Sequence, residues 1–533
     1  MNTPASIATT LAGDTALFAS VASTAAPSIR GADINHDDGC PDIEGLAQIT
    51  KKLSEKDGSR YDDDPNIIGW DGPDDPECPR NWGTPKKFFF TVITSSVILT
   101  VSFGSSVFAP ATPVAAAQLG VSILVMRLGV TLWILGLAAG PVLFGPLSEV
   151  FGHLIPFAVA TLGLGAFQLP VALGGNAQTV LVGRFLAGAF GSGSYAVISG
   201  MYYELYEPTP RGVAMALSST CINLGATVAP IAGAYLTHDA GAGWAWTAWV
   251  TLIITGVLFL ILVTGVPESS SARILERRAR RLRLETRNWA LHARSEEKPR
   301  EVGDIARRYL AKPARMFATE PVLVVFTAYL TLVYGTLYLA FQAFPLAYRQ
   351  RGWSAEASQL PFLAVALGVA SACALCSAFA LTWYRTKARA TRARGKPEPE
   401  LRLPPMVLGA AVLPPALLWF GWSGKAHWAS QVVAGYFVGC GLQLIFVAGI
   451  TYVVDVYGRA GDANSAMSAH VVVRSLVASS FPLFADKMYD RLGVAWASSV
   501  LALLSLVMAP APVLFWAYGA RIRSWSRFSS SNA

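Results

Sequence analysis

Long apolar stretches recur along the chain from about residue 88 to residue 516. A helix needs about 20 predominantly apolar residues to cross the hydrocarbon core of a bilayer, and these stretches are about that long. Inside hydrocarbon the backbone must satisfy its own hydrogen bonds, which favours α-helices. The pattern predicts an all-α integral membrane protein with twelve transmembrane helices. The predicted spans are 88–110, 127–148, 154–174, 179–203, 213–236, 246–266, 322–346, 359–382, 404–423, 428–453, 466–485 and 493–516.

The composition supports this fold class and limits the possible functions. Only 14% of the 533 residues are charged, whereas an ordinary soluble domain has about 25%. The sequence has no Gly-x-x-x-x-Gly-Lys-Ser/Thr loop, and its polar segments are too small for a nucleotide-binding domain, which argues against an ATP-driven pump. Paired acids, a nucleophile triad and a metal cluster are missing at membrane depth. We therefore expect neither an enzyme nor a metal site.

The basic residues of the loops indicate the orientation of the chain. Residues 272–317 carry 14 basic and 6 acidic residues, and residues 384–402 carry seven basic residues. Both loops and the C-terminal tail lie on the amino-terminal side of the predicted helices. Because basic loops stay in the cytoplasm, we expect both termini there. Residues 273–287 could form a basic amphipathic helix on the anionic inner leaflet. The basic stretch 272–317 is tethered between two spans, which argues against nucleic-acid binding.

The loop between the sixth and seventh spans divides the chain into two halves. Residues 1–85 lack a sustained apolar run and carry 15 acidic and 6 basic residues, as disordered tails do. The predicted domains are a disordered cytosolic N-terminal tail at 1–85, a six-helix half at 86–266, a basic cytoplasmic linker at 267–321, a second six-helix half at 322–516 and a cytosolic C-terminal tail at 517–533. Two similar halves suit a cavity between them.

A short connection between the second and third spans reads Gly145-Pro146-Leu147-Ser148-Glu149-Val150-Phe151-Gly152-His153-Leu154-Ile155-Pro156. Its glycines allow close backbone approach, its prolines punctuate the helices, and Glu149 places a carboxylate at the membrane surface. The segment resembles the Gly-Pro-Leu-Ser-Glu-x-x-Gly-Arg-x-x-Pro loop of major facilitator transporters in their fungal drug:proton antiporter form. His153 stands where that family usually has arginine. The alternative interpretation is a tight hydrophobic turn with one surface acid.

The fourth span opens on a second motif, Arg184-Phe-Leu-Ala-Gly-Ala-Phe-Gly-Ser-Gly, which resembles the fourth-helix arginine motif of the same family. A guanidinium within a membrane must face a cavity or a partner, unless it snorkels to the outer interface. At the end of this span Glu204 occupies the position of a family aspartate, ahead of Arg211. Glu204 is a candidate partner for a basic group during gating, or simply a solvated helix end.

The fifth span resembles the antiporter motif Gly-x-x-x-Gly-Pro-x-x-Gly at Gly225, Pro230 and Gly233, with Ala229 replacing its middle glycine. Pro230 removes a backbone donor and permits a bend, while the two glycines remove side-chain bulk. An ordinary packed helix can carry the same pattern.

Segments of the second half follow in the order of the same family. They are residues 334–345, 395–403, 452–457 with Asp455, 465–467, 474–475 with Arg474, and 481–484. The resemblance covers about residues 75–533 and identifies the chain as a relative of fungal twelve-helix multidrug and polyamine:proton antiporters. It implies the major facilitator fold and secondary active transport by alternating access, driven by a proton gradient and without a bound cofactor.

Polar and aromatic residues within the spans are candidates for a substrate cavity. They are Asn223, Tyr338, Phe341, Gln342, Phe344 and Gln443. An aromatic stripe at helical spacing can also be ordinary packing, and the amides can bond across helices.

The charges within the spans bear on the substrate. The predicted spans place no Asp or Glu near mid-membrane, but they place Arg184 and Arg474 within helices. The cavity should therefore be neutral to positive, which favours export of an amphipathic or weakly acidic organic molecule over a polyamine. The alternatives are a polyamine:proton antiporter, a transporter-like nutrient sensor, and arginines that pair only with backbone carbonyls.

The proton pathway must use the few titratable groups near the inner helix ends, together with water or the substrate itself. These groups are Glu149, His153, Glu204, Asp455 and His470. The partners that we expect are a small-molecule substrate and the lipid bilayer, with a monomer in the plasma membrane or, alternatively, in the vacuolar membrane.

The orientation can be tested by labelling. A cysteine at Ser295, in the predicted cytoplasmic linker, should resist an impermeant thiol reagent in intact cells, whereas a cysteine at Ser354 should react. Equal labelling at the two positions would contradict the predicted orientation.

Overall fold

The computed structural model describes residue 64 and residues 66–238, 243–297, 311–393, 398–458, 463–524, 526 and 528. Most of the predicted N-terminal tail, residues 1–63, therefore lies outside the described residues, as do residues 298–310 of the predicted linker. The described chain is almost wholly helical. It adds one two-stranded parallel sheet, in which β1 (Ile67–Ile68) pairs with β2 (His292–Ala293).

The first half contains nine helices among the described residues. They are α1 (Thr84–Ser106), α2 (Thr112–Gln118), α3 (Ile123–Leu137), α4 (Gly140–Phe151), α5 (Leu154–Ala166), α6 (Gln168–Leu173), α7 (Ala177–Leu205), α8 (Pro208–His238) and α9 (Trp246–Gly265). The second span is α3 followed by α4, and the third is α5 followed by α6. Within the predicted linker, α10 (Ser271–Thr286) confirms the expected basic helix.

The second half continues the helical pattern. The linker ends with α11 (Lys312–Thr319), and the described helices that follow are α12 (Pro321–Arg349), α13 (Phe362–Phe379), α14 (Arg385–Ala393), α15 (Pro404–Trp422), α16 (Trp428–Gly458), α17 (Ala463–Ala478), α18 (Phe481–Met508) and α19 (Pro510–Arg523). A π-helical turn (Ala380–Tyr384) joins α13 to α14, so the helix of the predicted span 359–382 continues beyond it.

The last two spans differ in detail from the prediction. Eleven helical stretches of the described chain are long and apolar enough to cross a membrane. The predicted span 466–485 is instead built from the 16-residue α17 and the first part of α18. Gly493 then adopts a non-helical backbone with φ of 70°, and the final span follows it. This left-handed conformation suits glycine, which lacks a Cβ.

The ordered chain begins earlier than the predicted boundary at residue 85. The Asp75 carboxylate accepts hydrogen bonds from the backbone N–H groups of Asp71 (2.9 Å) and Glu77 (2.8 Å) and from Arg278 of α10 (2.7 Å). These bonds lower the pKa of Asp75 and raise that of Arg278. The prediction of disorder up to residue 85 is therefore wrong for residues 66–83, because their acidic groups have basic partners far along the chain. The end of the helical bundle at which Asp75 contacts Arg278 is called the proximal end, and the opposite end is called the distal end.

Small residues let helices of the same half approach closely. Helix α8 packs against α1, and a Cβ added to Gly225 would lie 2.3 Å from the Leu99 carbonyl oxygen. A Cβ on Gly233 would lie 2.1 Å from the Val107 oxygen. Side chains cannot occupy such positions without moving the backbone, so the fifth-span glycines serve close packing.

This packing yields a prediction about folding. Gly225→Val should push α8 away from α1, and overpacking of this kind costs about 1–3 kcal/mol or more. We expect a lower thermal unfolding midpoint of the detergent-purified protein by fluorescence-detected gel filtration. Gly256→Val is the matched control, because nothing lies within 4 Å of a Cβ at Gly256. Equal midpoints for the two variants would contradict the packing argument.

Candidate transport site

A central cavity lies between the two halves. Residues of α1, α4, α7 and α8 line it from the first half, and residues of α16 and α17 line it from the second. Hydroxyl groups of Tyr195, Tyr202, Ser218 and Ser219 contribute polar lining, together with the guanidinium of Arg474. Tyr202 Oη lies 2.7 Å from Ser218 Oγ and 3.1 Å from Ser95 Oγ, so these hydroxyls form a network.

Arg474 is the charged residue of this cavity among the described lining residues. It is 1% exposed, and its guanidinium carbon lies 4.4 Å from the ring centroid of Tyr334 and 5.3 Å from that of Phe446. Within the described part of the chain, Arg474 Nε has no hydrogen-bond acceptor. His470, one turn earlier on α17, is also buried, with Nδ1 3.4 Å from Thr327 Oγ1. The site thus holds a buried cation whose hydrogen-bonding capacity is not filled.

Arg184 has a different environment, although the sequence made the two arginines look alike. Its Nε donates to the Gly129 carbonyl (3.1 Å), and its two terminal nitrogens donate to the carbonyls of Gly104 (2.8 Å) and Ser105 (3.0 Å). The rings of Phe108 and Trp133 flank it at 4.8 and 4.6 Å. Arg184 is buried and ties α7 to α1 and α3. It is absent from the linings of the three cavities described here, and it does not snorkel.

The two buried amides named as cavity candidates bond to each other across the halves. Asn223 Nδ2 of α8 donates to Gln443 Oε1 of α16 at 2.6 Å, and Gln443 Nε2 donates to Thr220 Oγ1 at 2.8 Å. They form a direct bridge between the halves, which is the cross-helix alternative considered from the sequence.

The aromatic stripe of α12 divides between two roles. Tyr338, Phe341 and Gln342 line a distal cavity, to which Arg127 and Asp486 also contribute. Phe344 instead stacks on Phe362 and Phe420, with centroid distances of 5.0 and 4.2 Å.

Tyr338 stands at the boundary between the central and distal regions. Its hydroxyl lies 3.0 Å from Ser105 Oγ of the first half and 3.2 Å from the hydroxyl of Tyr334, the residue that stacks on Arg474.

At the proximal end, charged residues again connect the halves. Asp455 of α16 accepts a hydrogen bond from Arg402 Nε at 2.8 Å and lies 3.7 Å from Arg211 of α8. Burial opposes the charge of Arg402, but the neighbouring Asp455 carboxylate outweighs it and raises the pKa of Arg402. A proximal cavity lies beside Arg211 and Asp455.

The loop that carried the first motif is stabilised by an acid from outside it. Glu268 accepts hydrogen bonds from the backbone N–H groups of His153 (3.0 Å) and Leu154 (3.2 Å) at the start of α5. His153 Nδ1 lies 3.1 Å from Ser269 Oγ, and burial lowers the pKa of His153. Gly152 ends α4 with φ of 82°, next to Glu268. Gly145 and Pro146 lie within α4, and Glu149 is exposed near its end.

Glu204 lies at the end of α7 and accepts a hydrogen bond from Ser271 Oγ of α10 at 2.5 Å. Pro230 lies inside α8, between the two close-packed glycines.

Among the ion pairs that sequence reasoning missed is that of Arg127 on α3 with Asp486 on α18, which joins the halves at the distal end. The signal was available at the span edges, since Arg127 is the first residue of the predicted span 127–148 and Asp486 directly follows the predicted span 466–485.

Comparison with known proteins agrees with this architecture. The family model of the Major Facilitator Superfamily matches residues 94–482. The citrinin biosynthesis cluster MFS transporter of Monascus ruber is 42% identical, over 87% of this chain and 92% of the relative. The ascochitine biosynthesis cluster MFS transporter of Didymella fabae is 41% identical, over 89% and 90%. The cercosporin MFS transporter of Cercospora nicotianae is 36% identical, over 87% and 90%.

Solved structures share the fold at low identity. The proton:xylose symporter XylE bound to 6-bromo-6-deoxy-D-glucose superposes with a TM-score of 0.60 at 13% identity, over 82% of this chain and 96% of that chain. The human organic anion transporter MFSD10 gives a TM-score of 0.53 at 17% identity, over 80% and 100%. With the family model spanning most of an integral, multi-pass helical chain and with curated transporters matching almost end to end, this chain belongs to the major facilitator superfamily.

Proposed function

We propose that this transporter exports an acidic, amphipathic organic molecule by alternating access, in exchange for protons. The observation that carries the proposal is the guanidinium of Arg474, which is buried at the central cavity and whose Nε has no acceptor among the described residues. Leaving such a donor unpaired away from water costs free energy. A carboxylate would accept its hydrogen bonds with charge assistance, and the flanking ring of Tyr334 would contact an apolar body.

The charge of the central cavity argues against a polyamine. None of its described lining residues is an Asp or Glu, while Arg474 contributes a positive charge. A polycation would therefore meet repulsion without compensating carboxylates.

The relatives indicate a substrate class. Two of them are named for the biosynthesis clusters of citrinin and ascochitine, and a third is named for cercosporin. We therefore favour a product of fungal biosynthesis as the cargo, with a toxic foreign compound as the second choice.

The contacts between the halves suit alternating access. Three polar contacts join the first half to the second. They are Arg211–Asp455 at the proximal end, Asn223–Gln443 in the middle and Arg127–Asp486 at the distal end. Each contact is polar and consists of a few bonds, so rocking of the halves would exchange one set for another. The proposal includes a monomer in the plasma membrane, or alternatively in the vacuolar membrane, with both termini in the cytoplasm.

The role of Arg474 can be tested in proteoliposomes by counterflow of a radiolabelled dihydroxybenzoate. A hydrogen bond to a charged group contributes about 1.5–3 kcal/mol. Arg474→Gln should therefore raise the half-saturating concentration of the substrate by about 10- to 100-fold. Arg474→Lys keeps the charge and should retain part of the affinity.

Competition separates the alternatives in the same assay. Spermidine should inhibit poorly, and saturable high-affinity spermidine transport would restore the polyamine interpretation. Binding of the probe without any counterflow would instead support a sensor.

Proton coupling can be tested at Glu204, which we propose as a participant. Glu204→Gln should reduce uptake driven by a pH gradient but leave counterflow intact, because exchange needs no net proton movement. Ser271→Ala is the matched control, since it removes the 2.5 Å hydrogen bond and keeps the carboxylate. Unchanged gradient-driven transport by Glu204→Gln across a pH series would remove Glu204 from the mechanism.

A further inference from the structure

The distal cavity has the chemistry of a binding site that is separate from Arg474. It lies between the halves, is lined by the guanidinium groups of Arg127 and Arg349 and the carboxylate of Asp486, and has the rings of Tyr338 and Phe341 in its wall. The two cations outnumber the one anion among its described lining residues. The cavity therefore combines a positive balance with aromatic surface.

Two amide oxygens in this cavity lack partners. Gln359 is 3% exposed, and within the described residues its Oε1 accepts no hydrogen bond. Gln342 Oε1 is likewise buried without a partner in that part of the chain, although its Nε2 donates weakly to the Pro482 carbonyl at 3.4 Å. An acceptor buried in this way loses its water and gains nothing in return. Hydroxyl groups of a ligand would satisfy both oxygens.

In the Arg127–Asp486 pair, the carboxylate of Asp486 would compete with a ligand carboxylate for Arg127. Arg127 is one-fifth exposed and Asp486 about one-third, so water reaches both partners. Partly exposed ion pairs shift an equilibrium by a few-fold only, up to about five-fold. An incoming carboxylate could therefore take the place of Asp486 on Arg127.

We propose that the distal cavity is a second binding site for an acidic, hydroxyl-bearing organic molecule. The carboxylate of the ligand binds Arg127 in exchange for Asp486, its hydroxyl groups donate to Gln342 and Gln359, and its apolar body packs on Phe341. This inference rests on the proposed function, because the substrate would occupy the distal cavity after it leaves Arg474. Tyr338, which is hydrogen-bonded to Ser105 and Tyr334, separates the central site from the distal site.

Equilibrium dialysis of the purified full-length protein with a radiolabelled dihydroxybenzoate tests this site. The measurements are made in the Arg474→Gln background, which removes the central guanidinium. Adding Arg127→Gln should weaken the remaining binding by at least about ten-fold, because a charge-assisted hydrogen bond is lost. Adding Asp486→Asn should tighten it by about five-fold, because the competing carboxylate is neutralised. Lys487→Gln, exposed on the same helix and outside the cavity lining, is the matched control and should change nothing.

The outcomes distinguish the two sites. Complete loss of binding in Arg474→Gln alone would overturn the distal site and leave the central one standing. Unchanged binding in Arg474→Gln, followed by loss on adding Arg127→Gln, would support the distal site and overturn the central one. If the Arg127→Gln protein does not fold, the tightening by Asp486→Asn decides, and an unchanged affinity there would overturn the proposal. Absence of saturable binding to the unaltered protein would overturn both sites.

Discussion

A polar group that leaves water for the interior of a bilayer must find its partners inside the protein. Arg184 and Arg474 meet this constraint in opposite ways. Arg184 donates hydrogen bonds to three backbone carbonyls and thereby fixes α7 against α1 and α3. Arg474 has aromatic faces but an unfilled Nε among the described residues. One arginine completes the fold, and the other leaves capacity for a ligand.

Close backbone packing is prominent within the first half, whereas polar side-chain bonds accompany an apolar cluster of Ala216, Ala372 and Cys376 where the halves meet. Within the first half, α8 meets α1 at backbone contact distance through Gly225 and Gly233. Between the halves, side-chain hydrogen bonds and ion pairs recur at Asn223–Gln443, Ser105–Tyr338 and Arg127–Asp486. Close packing resists sliding, whereas a polar bond can be replaced by water or by another polar group. The polar bonds between the halves are the contacts that the proposed rocking of the halves would exchange.

The sequence predicts the all-α membrane fold, because hydropathy and small-residue motifs are local properties, and eleven helical stretches of the described chain are long and apolar enough to cross a membrane. It cannot distinguish Arg184 from Arg474, since the difference lies in which carbonyls neighbouring helices bring near. For the same reason the sequence does not predict the hydrogen bond between Asn223 and Gln443, which are 220 residues apart. The edges of the spans were a further limit. Asp486 lies one residue beyond a predicted span, where hydropathy gives no sign that its carboxylate meets Arg127 on another helix.

The clasp between the N-terminal segment and α10 has a consequence for how the protein is made. Arg278 binds Asp75, which precedes it by 203 residues, and Asp71 on the same segment. The acidic segment leaves the ribosome long before its basic partner, and six spans are synthesised between them. Until α10 emerges, the segment keeps its full negative charge; afterwards the two charges neutralise each other and close the first half into a loop. The contact between Arg278 and this acidic segment can therefore form only after the first six predicted spans have been synthesised.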